Sequence, residues 1–327
     1  MARPAGQSGE DRALRLRAGS GGGRVIRKGS YVVHGLPAKL CADGLVLPEG
    51  PRWRDGELIF SDMFGHRVAA LSGCGVVTTL ARVTQQPSGL GWLPDGRLIV
   101  VSMLDRKIRV VGKDGSADVL VSIGDCAVDR CNDMVVDARG WAYVGSFPAS
   151  QGATAWERID NSPMAAVACV DFRDLDNIRV NIAATGLHMP NGMVISEDGR
   201  TLIVAETAGR RLTAFDIDQD GGLANRRVWA DLPIRPDGIC LDVQGAIWVA
   251  TPLDQPAFLH VREGGEVIAT VDGDGLGGFA CELGGEDGRT LFLLEAPYPV
   301  QPDAPLGRIR SVRVDVPGIR KSDGNAQ

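Results

Sequence analysis

The chain has 327 residues, a formal net charge of −6 and 43 glycines. Length alone allows one or two domains, and the glycine content fits an all-β protein rich in turns. The acidic balance, without a basic stripe, argues against nucleic acid as a partner, and no run of about 18 apolar residues predicts a membrane span.

The two ends of the chain differ in composition from its middle. Residues 1–28 are rich in Gly, Arg and Ser and lack the apolar segment of a secretory signal. We predict a disordered tail over 1–28, a folded domain over 29–318 and a flexible tail over 319–327.

A hairpin pattern recurs along the folded domain. In its clearest copy, MPNGMVISEDGRTLIVAE, Asp198-Gly199 joins two β-rich runs, and such a pair favours a hairpin because it tolerates positive φ. The six turn glycines are separated by 40, 44, 59, 46 and 43 residues: Gly56, Gly96, Gly140, Gly199, Gly245 and Gly288.

Each hairpin is followed by a third and a fourth predicted strand, so each unit holds four strands. A period in the forties with several strands per unit is typical of a β-propeller, and six units predict six blades. A large β-sandwich of unrelated hairpins is the alternative. The constant spacing of seven residues from Ser88, Asn132, Asn191 and Asp237 to the turn argues against it.

The segment 38–48 resembles a fourth strand with no preceding unit. We therefore predict that it completes the sixth blade by pairing with C-terminal strands such as 308–316. Ring closure of this kind removes free sheet edges that would otherwise aggregate.

The positions at which the six units start should meet at one mouth of the central channel. They are Glu49, Ser88, Asn132, Asn191, Asp237 and a residue near Gly277. Two carboxylates and two amides among them form an oxygen-rich site that suits one divalent cation, Ca²⁺, Mg²⁺ or Mn²⁺ before Zn²⁺. Ordinary turn roles for the Asn-Gly and Asp-Gly pairs are the alternative.

The third unit is oversized, and its excess, residues 148–162, follows Phe147. Strand direction places this insertion on the same face as the starting positions, where it is either a lid that carries Trp156 or a plain surface loop. The segment 63–66, which ends in His66, belongs to the same rim.

The seven cysteines are scattered and form no C-x-x-C motif. Free thiols in a cytoplasmic protein are the simplest interpretation. A local disulfide or a metal site formed by Cys126 and Cys131 is the alternative.

From about residue 37 to residue 316, the chain resembles the gluconolactonase/senescence marker protein (regucalcin)/luciferin-regenerating enzyme family. The resemblance rests on LPEGPRW, RCNDMVVDARG, MPNGMVISEDGRTLIVAE and RPDGICLDVQGAIWVA. It implies a six-bladed propeller with one divalent metal in the channel, held by Glu49, Asn191 and Asp237. Asn132 would complete the site or contact substrate, and Arg130 would bind substrate. Asp237 would be the general base.

The insertion after Phe147 departs from the sugar-lactonase pattern, and Glu157 is an insecure counterpart of the family's substrate-binding Glu. The substrate is therefore less defined than the metal site.

Our first hypothesis is metal-dependent hydrolysis of a lactone by activated water, with Ca²⁺ as the first choice of metal. Asp237 and Glu49 are the candidate catalytic residues, and Arg130, Asn132, His66 and Trp156 are the candidate substrate contacts. The rival hypotheses are a non-catalytic metal-binding propeller and a hydrolase of aryl esters or organophosphates on the same site.

Overall fold

The computed structural model describes residues 37–73, 75–148, 164–255 and 257–319. These residues form six four-stranded antiparallel sheets, and one short 3₁₀ helix, Gly124–Cys126, lies within them. The predicted all-β, six-bladed propeller with four strands per blade is confirmed. The proposed tail boundaries at residues 28 and 318 stay predictions, because residues 1–36 and 320–327 lie outside the described part.

In the first five blades the strands follow chain order. Blade 1 contains β2 (Pro48–Arg54), β3 (Glu57–Asp62), β4 (Arg67–Leu71) and β5 (Val77–Arg82). Blade 2 contains β6 (Pro87–Trp92), β7 (Leu98–Ser102), β8 (Lys107–Val111) and β9 (Ala117–Ser122). Blade 3 contains β10 (Arg130–Val136), β11 (Trp141–Phe147), β12 (Ala165–Asp171) and β13 (Arg179–Leu187).

Blade 4 contains β14 (Pro190–Ile195), β15 (Thr201–Glu206), β16 (Arg211–Ile217) and β17 (Leu223–Asp231). Blade 5 contains β18 (Ile239–Leu241), β19 (Ile247–Ala250), β20 (Phe258–Val261) and β21 (Val267–Val271). Blade 6 contains β22 (Gly277–Gly284), β23 (Thr290–Ala296), β24 (Gly307–Arg313) and, from the other end of the chain, β1 (Lys39–Leu45).

The N-terminal strand closes the ring as predicted. β1 runs antiparallel to β24, with Lys39 opposite Ser311 and Leu45 opposite Gly307. The first and last parts of the folded domain therefore share one sheet, and blade 6 has no open outer edge at β24.

The core lies between neighbouring blades. Leu58 and Phe60 of blade 1, for example, belong to the same buried cluster as Phe292 and Leu294 of blade 6. This is why the second strand of each unit is apolar on both faces, since each face is covered by an adjacent blade.

The hairpin turns differ in detail from the expected pattern. Asp198 does not adopt positive φ, and Gly199 alone does so, at φ 70°, after its amide donates to the Ser196 carbonyl over 2.9 Å. In blade 1 both Asp55 and Gly56 have positive φ, as a two-residue type I′ hairpin requires. The glycine is thus the common requirement, and the residue before it varies.

Within the described residues, no helix is long and apolar enough to cross a membrane. Apart from Pro148, the predicted insertion at 148–162 lies outside the described residues, and so do Trp156 and Glu157.

Candidate metal and substrate site

Five of the predicted starting positions meet at one end of the channel, which we call the channel mouth. The side chains of Glu49, Ser88, Asn132, Asn191 and Asp237 are all buried there. Ser88 Oγ donates to Asn132 Oδ1 over 3.1 Å, and Asn132 Nδ2 donates to Asn191 Oδ1 over 2.8 Å. One hydrogen-bonded chain therefore joins blades 2, 3 and 4.

Acidic side chains, two buried and one partly buried, fix the backbone just before three of these residues. Asp62 Oδ1 accepts from the Leu47 amide, two residues before Glu49. Glu206 Oε2 accepts from the His188 amide, three residues before Asn191, and Asp254 Oδ2 accepts from the Arg235 amide, two residues before Asp237. Because each acid lies at or beyond the end of a second strand, the hairpin itself positions the channel side chain.

A β-bulge follows the channel residue on the inner strands. In blade 4, Pro190 pairs with Glu206 and Met193 with Val204, so one extra residue is accommodated around Asn191. A Cβ on Gly192 would lie 2.6 Å from the Ile239 amide nitrogen of blade 5, so only glycine fits. The equivalent residues in blades 1, 2 and 5 are also glycines, whereas blade 3 has Asp133.

Asp133 is the site residue that sequence reasoning missed. Its side chain is 5% exposed, and its Oδ1 atom has no hydrogen-bond partner among the described residues. The sequence does contain a signal for it: in the other four units with a polar channel residue, the next residue is glycine, and only blade 3 has an acid there. A carboxylate at that position places a third acid near the site.

These three acids perturb one another. Burial raises the pKa of Glu49 well above its usual range, and the charges of Asp237 and Asp133 raise it further. Burial and Asp133 raise the pKa of Asp237, against a hydrogen bond from Asn191 that lowers it. Burial also raises the pKa of Asp133, with the Arg52 guanidinium opposing the shift. The site therefore favours either protons or a cation.

The donor set fits a hard divalent cation. Glu49 and Asp237 supply carboxylate oxygens, Asn132 and Asn191 supply amide oxygens, and the orphan Oδ1 of Asp133 adds a buried acceptor nearby. Among the described residues, no three His, Cys, Asp or Glu side chains come together as metal ligands. A metal here therefore depends on the two amides, which the sequence already indicated.

The other predicted substrate residues are less closely grouped. Arg130 is half-buried at the start of β10, directly opposite Phe147 of β11, and its side chain has no hydrogen bond or ion pair within the described ranges. His66 lies in the β3–β4 turn at the same end of the ring, with its side chain exposed. Trp156 lies outside the described residues.

The sixth starting position is corrected by the strand register. Gly278 pairs with Glu295 just as Pro190 pairs with Glu206, so the residue that corresponds to Asn191 is Phe279 and not Gly277. Phe279 is buried, and its carbonyl accepts from the Gly238 amide over 2.9 Å. Blade 6 thus contributes an aromatic ring to the mouth and no ligand.

Cys126 and Cys131 do not form a disulfide with each other. Both are free thiols, Cys126 partly exposed in the 3₁₀ turn and Cys131 buried in β10.

Together the fold and the site define a six-bladed propeller with an acidic, oxygen-rich channel mouth. Residues 47–296 match the family described as SMP-30/Gluconolactonase/LRE-like region. The chain belongs to this family.

Individual relatives are distant. The pentonolactonase XacC of Haloferax volcanii is 28% identical over 272 residues, which is 76% of this chain and 81% of that protein. A gluconolactonase structure from Xanthomonas campestris has 22% identity and a TM-score of 0.69, covering 90% and 96% of the two chains. A structure described as the calcium-binding protein regucalcin of Agrobacterium tumefaciens has 19% identity and a TM-score of 0.70, covering 87% and 96%.

Proposed function

We propose that the protein is a metal-dependent lactonase that opens a lactone ring by hydrolysis. The proposal assigns Glu49, Asn132, Asn191 and Asp237 to one divalent cation. The observation that carries it is the buried pair Glu49 and Asp237, whose pKa values are both raised, at the mouth of a propeller channel. The family and the lactonase names of relatives support the reaction class.

Calcium is our first choice of cation. All four donors are oxygens, and two of them are carboxylates, which match a doubly charged ion. A structurally similar protein is described as calcium-binding. Mg²⁺, Mn²⁺ and Zn²⁺ remain the alternatives to be compared with Ca²⁺. When bound, the cation would polarise the lactone carbonyl and lower the pKa of a nearby water.

Asp237 acts as the general base. Its carboxylate, at the mouth of the channel, takes a proton as water adds to the carbonyl carbon. The ring C–O bond then breaks, and the proton passes from Asp237 to the leaving alkoxide. The product is an open hydroxy acid, and Asp237 returns to its starting state.

The remaining residues position the lactone and the base. The Arg130 guanidinium, which has no hydrogen bond or ion pair to another described residue, binds the carbonyl or the product carboxylate. Asn191 donates to Asp237 and orients its carboxylate. Glu49, charged in the loaded site, serves as a second proton acceptor, while His66 and Trp156 stay predictions as substrate contacts.

A non-catalytic calcium-binding role is the second candidate, and the description of the Agrobacterium protein favours it. The two candidates share the metal site and differ in turnover. Hydrolysis of aryl esters or organophosphates would use the same residues and belongs in the same substrate panel.

The test is a panel of lactones assayed by pH-stat with and without a chelator, followed by elemental analysis of Glu49→Gln and Asp237→Asn. We expect chelator-sensitive hydrolysis in the parent. In both variants we expect metal occupancy to fall by at least about half and kcat by at least about 100-fold. Asp198→Asn, on an exposed turn, is the matched control and should keep both. Full occupancy in both site variants would contradict the metal site, and chelator-resistant activity would contradict metal dependence.

We also propose a cytoplasmic location and a small-molecule lactone or ester as the partner. The location is supported by the six cysteines that the described residues contain, all of them free thiols, since exported proteins in oxidising compartments tend to pair their cysteines.

A further inference from the structure

An apolar arc borders one side of the channel mouth. It contains the buried residues Met63, Met103 and Phe279 and the partly buried residues Phe64, Phe147 and Tyr298, all in one contact cluster. Its members come from blades 6, 1, 2 and 3, which are consecutive neighbours around the ring. The cluster is separate from the cores that lie between blades.

Backbone hydrogen bonds place the arc beside the candidate metal ligands. The Met63 amide donates to the Leu47 carbonyl over 2.8 Å, two residues before Glu49. The Met103 carbonyl accepts from the Cys131 amide over 3.2 Å, immediately before Asn132. Phe279 itself occupies the sixth channel position, so the arc continues into the ring of ligands.

The arc keeps exposed apolar surface and is not a closed core. Phe64, Phe147 and Tyr298 remain partly accessible. Two further apolar residues at the same end of the ring are exposed, Leu104 at 39% and Leu306 at 52%. Leu104 follows Met103, and Leu306 directly precedes β24, so both extend the apolar side of the mouth.

Blades 4 and 5 present different chemistry at the same level. Their second strands lead into Thr207 and Thr251, which are buried polar residues. In blade 4, the half-buried His188 accepts at its carbonyl from the Ala208 amide, directly after Thr207. The mouth is therefore polar on one side and apolar on the other. Arg130 stands at the boundary, because it is the cross-strand partner of Phe147 and such partners lie side by side on one sheet face.

A sugar lactone fits this arrangement poorly. Ring hydroxyls that face Phe64 or Phe147 would give up hydrogen bonds to water and gain few in return, which is unfavourable. An alkyl or aryl substituent in the same place is transferred from water to apolar surroundings and is stabilised, by up to about fourfold in affinity for each buried methylene.

We propose that the preferred substrate is a lactone with an apolar substituent, alkyl or aryl, and not a polyhydroxylated sugar lactone. The lactone carbonyl faces Arg130 and the Glu49/Asp237 side of the mouth, and the substituent packs on the apolar arc. This inference rests on the proposed lactonase function and assigns it a substrate class.

The experiment compares four lactones on the metal-loaded protein: γ-butyrolactone, γ-nonalactone, dihydrocoumarin and glucono-1,5-lactone. With half of its five side-chain carbons buried, γ-nonalactone should exceed γ-butyrolactone in kcat/KM by about 30-fold. Both γ-nonalactone and dihydrocoumarin should have a higher kcat/KM than glucono-1,5-lactone. The ratio of kcat/KM for γ-nonalactone to that for dihydrocoumarin shows whether an alkyl or an aryl substituent is preferred. Equal or faster hydrolysis of glucono-1,5-lactone overturns the substrate class but leaves the lactonase function standing. Failure to hydrolyse any of the four contradicts the lactonase function itself.

Variants locate the effect in the arc. Two variants remove apolar surface from the arc, Phe64→Ser and Leu306→Ser, and the second lies at an exposed position that folding tolerates. Each should lower the ratio of kcat/KM for γ-nonalactone to kcat/KM for γ-butyrolactone by at least about threefold. Val119→Ser, at a residue 50% exposed on the outer strand β9, is the matched control and should keep the ratio. An unchanged ratio in both arc variants overturns the assignment of the substituent to the arc.

A binding measurement separates recognition from turnover. 2-Pentylcyclopentanone resembles an alkyl lactone but has no ester bond to hydrolyse, and cyclopentanone is its unsubstituted partner. Calorimetry should show at least about tenfold tighter binding of the pentyl ketone to the parent, and a smaller difference for Phe64→Ser. Equal binding of the two ketones to the parent contradicts the arc as an apolar subsite.

Discussion

Substitution of Asp237 by Asn should affect stability in opposite directions with and without metal. The side chain keeps its size and loses its charge. In the metal-free protein the raised pKa of Asp237 means that the folded state holds a proton that the unfolded state has released. Stability therefore falls as pH rises from the usual carboxyl range through the raised pKa, and removal of the charge should lessen that fall.

With calcium present, Asp237→Asn should destabilise the protein instead of stabilising it. A ligand that binds only the folded state at 100 times its dissociation constant stabilises it by about 2.7 kcal/mol. For a propeller of this length, about 2 °C per kcal/mol converts this into a shift of about 5 °C in Tm. Asp237→Asn removes one of the two charged ligands, so most of this shift should be lost.

The test is differential scanning calorimetry of both proteins at pH 5 and pH 8, each with chelator and with calcium, which gives eight Tm values. We expect the variant to melt higher than the parent at pH 8 in chelator, and lower than the parent in calcium. Asp198→Asn should show the parent's calcium response, because Asp198 lies on the exposed turn at the opposite end of the hairpin. A variant that melts below the parent under every condition would refute the burial argument and indicate a purely structural Asp237.

Two further predictions concern ring closure and the thiols. Deletion of residues 1–44 removes three of the four residue pairs between β1 and β24. It should cost about 3 kcal/mol and lower Tm by about 6 °C, whereas deletion of 1–28 should leave Tm within about 1 °C. Equal melting of the two truncations would contradict closure by β1. Burial raises the pKa of Cys131 to about 12, so at pH 8 iodoacetamide should alkylate the partly exposed Cys126 at least about 100-fold faster than Cys131 by mass spectrometry. Comparable rates would show that the blade 2–blade 3 interface opens readily.

Sequence alone determined the repeat, the number of blades and the five polar channel positions. These follow from local rules: a glycine at each turn, apolar runs at fixed spacing, and a starting residue at a constant distance from its turn. Closure by the N-terminal strand also followed, because segment 38–48 had no preceding unit to join.

The tertiary structure alone decided what surrounds those positions. Asp133 joins the site because a bulge follows Asn132 and because blade 3 has a carboxylate where other blades need glycine to admit their neighbour. Phe279 replaces Gly277 in the ring because the register of β22 on β23 is shifted. The apolar arc gathers residues more than 200 positions apart, such as Phe64 and Tyr298. Packing between blades is non-local, so no pattern within one repeat encodes it.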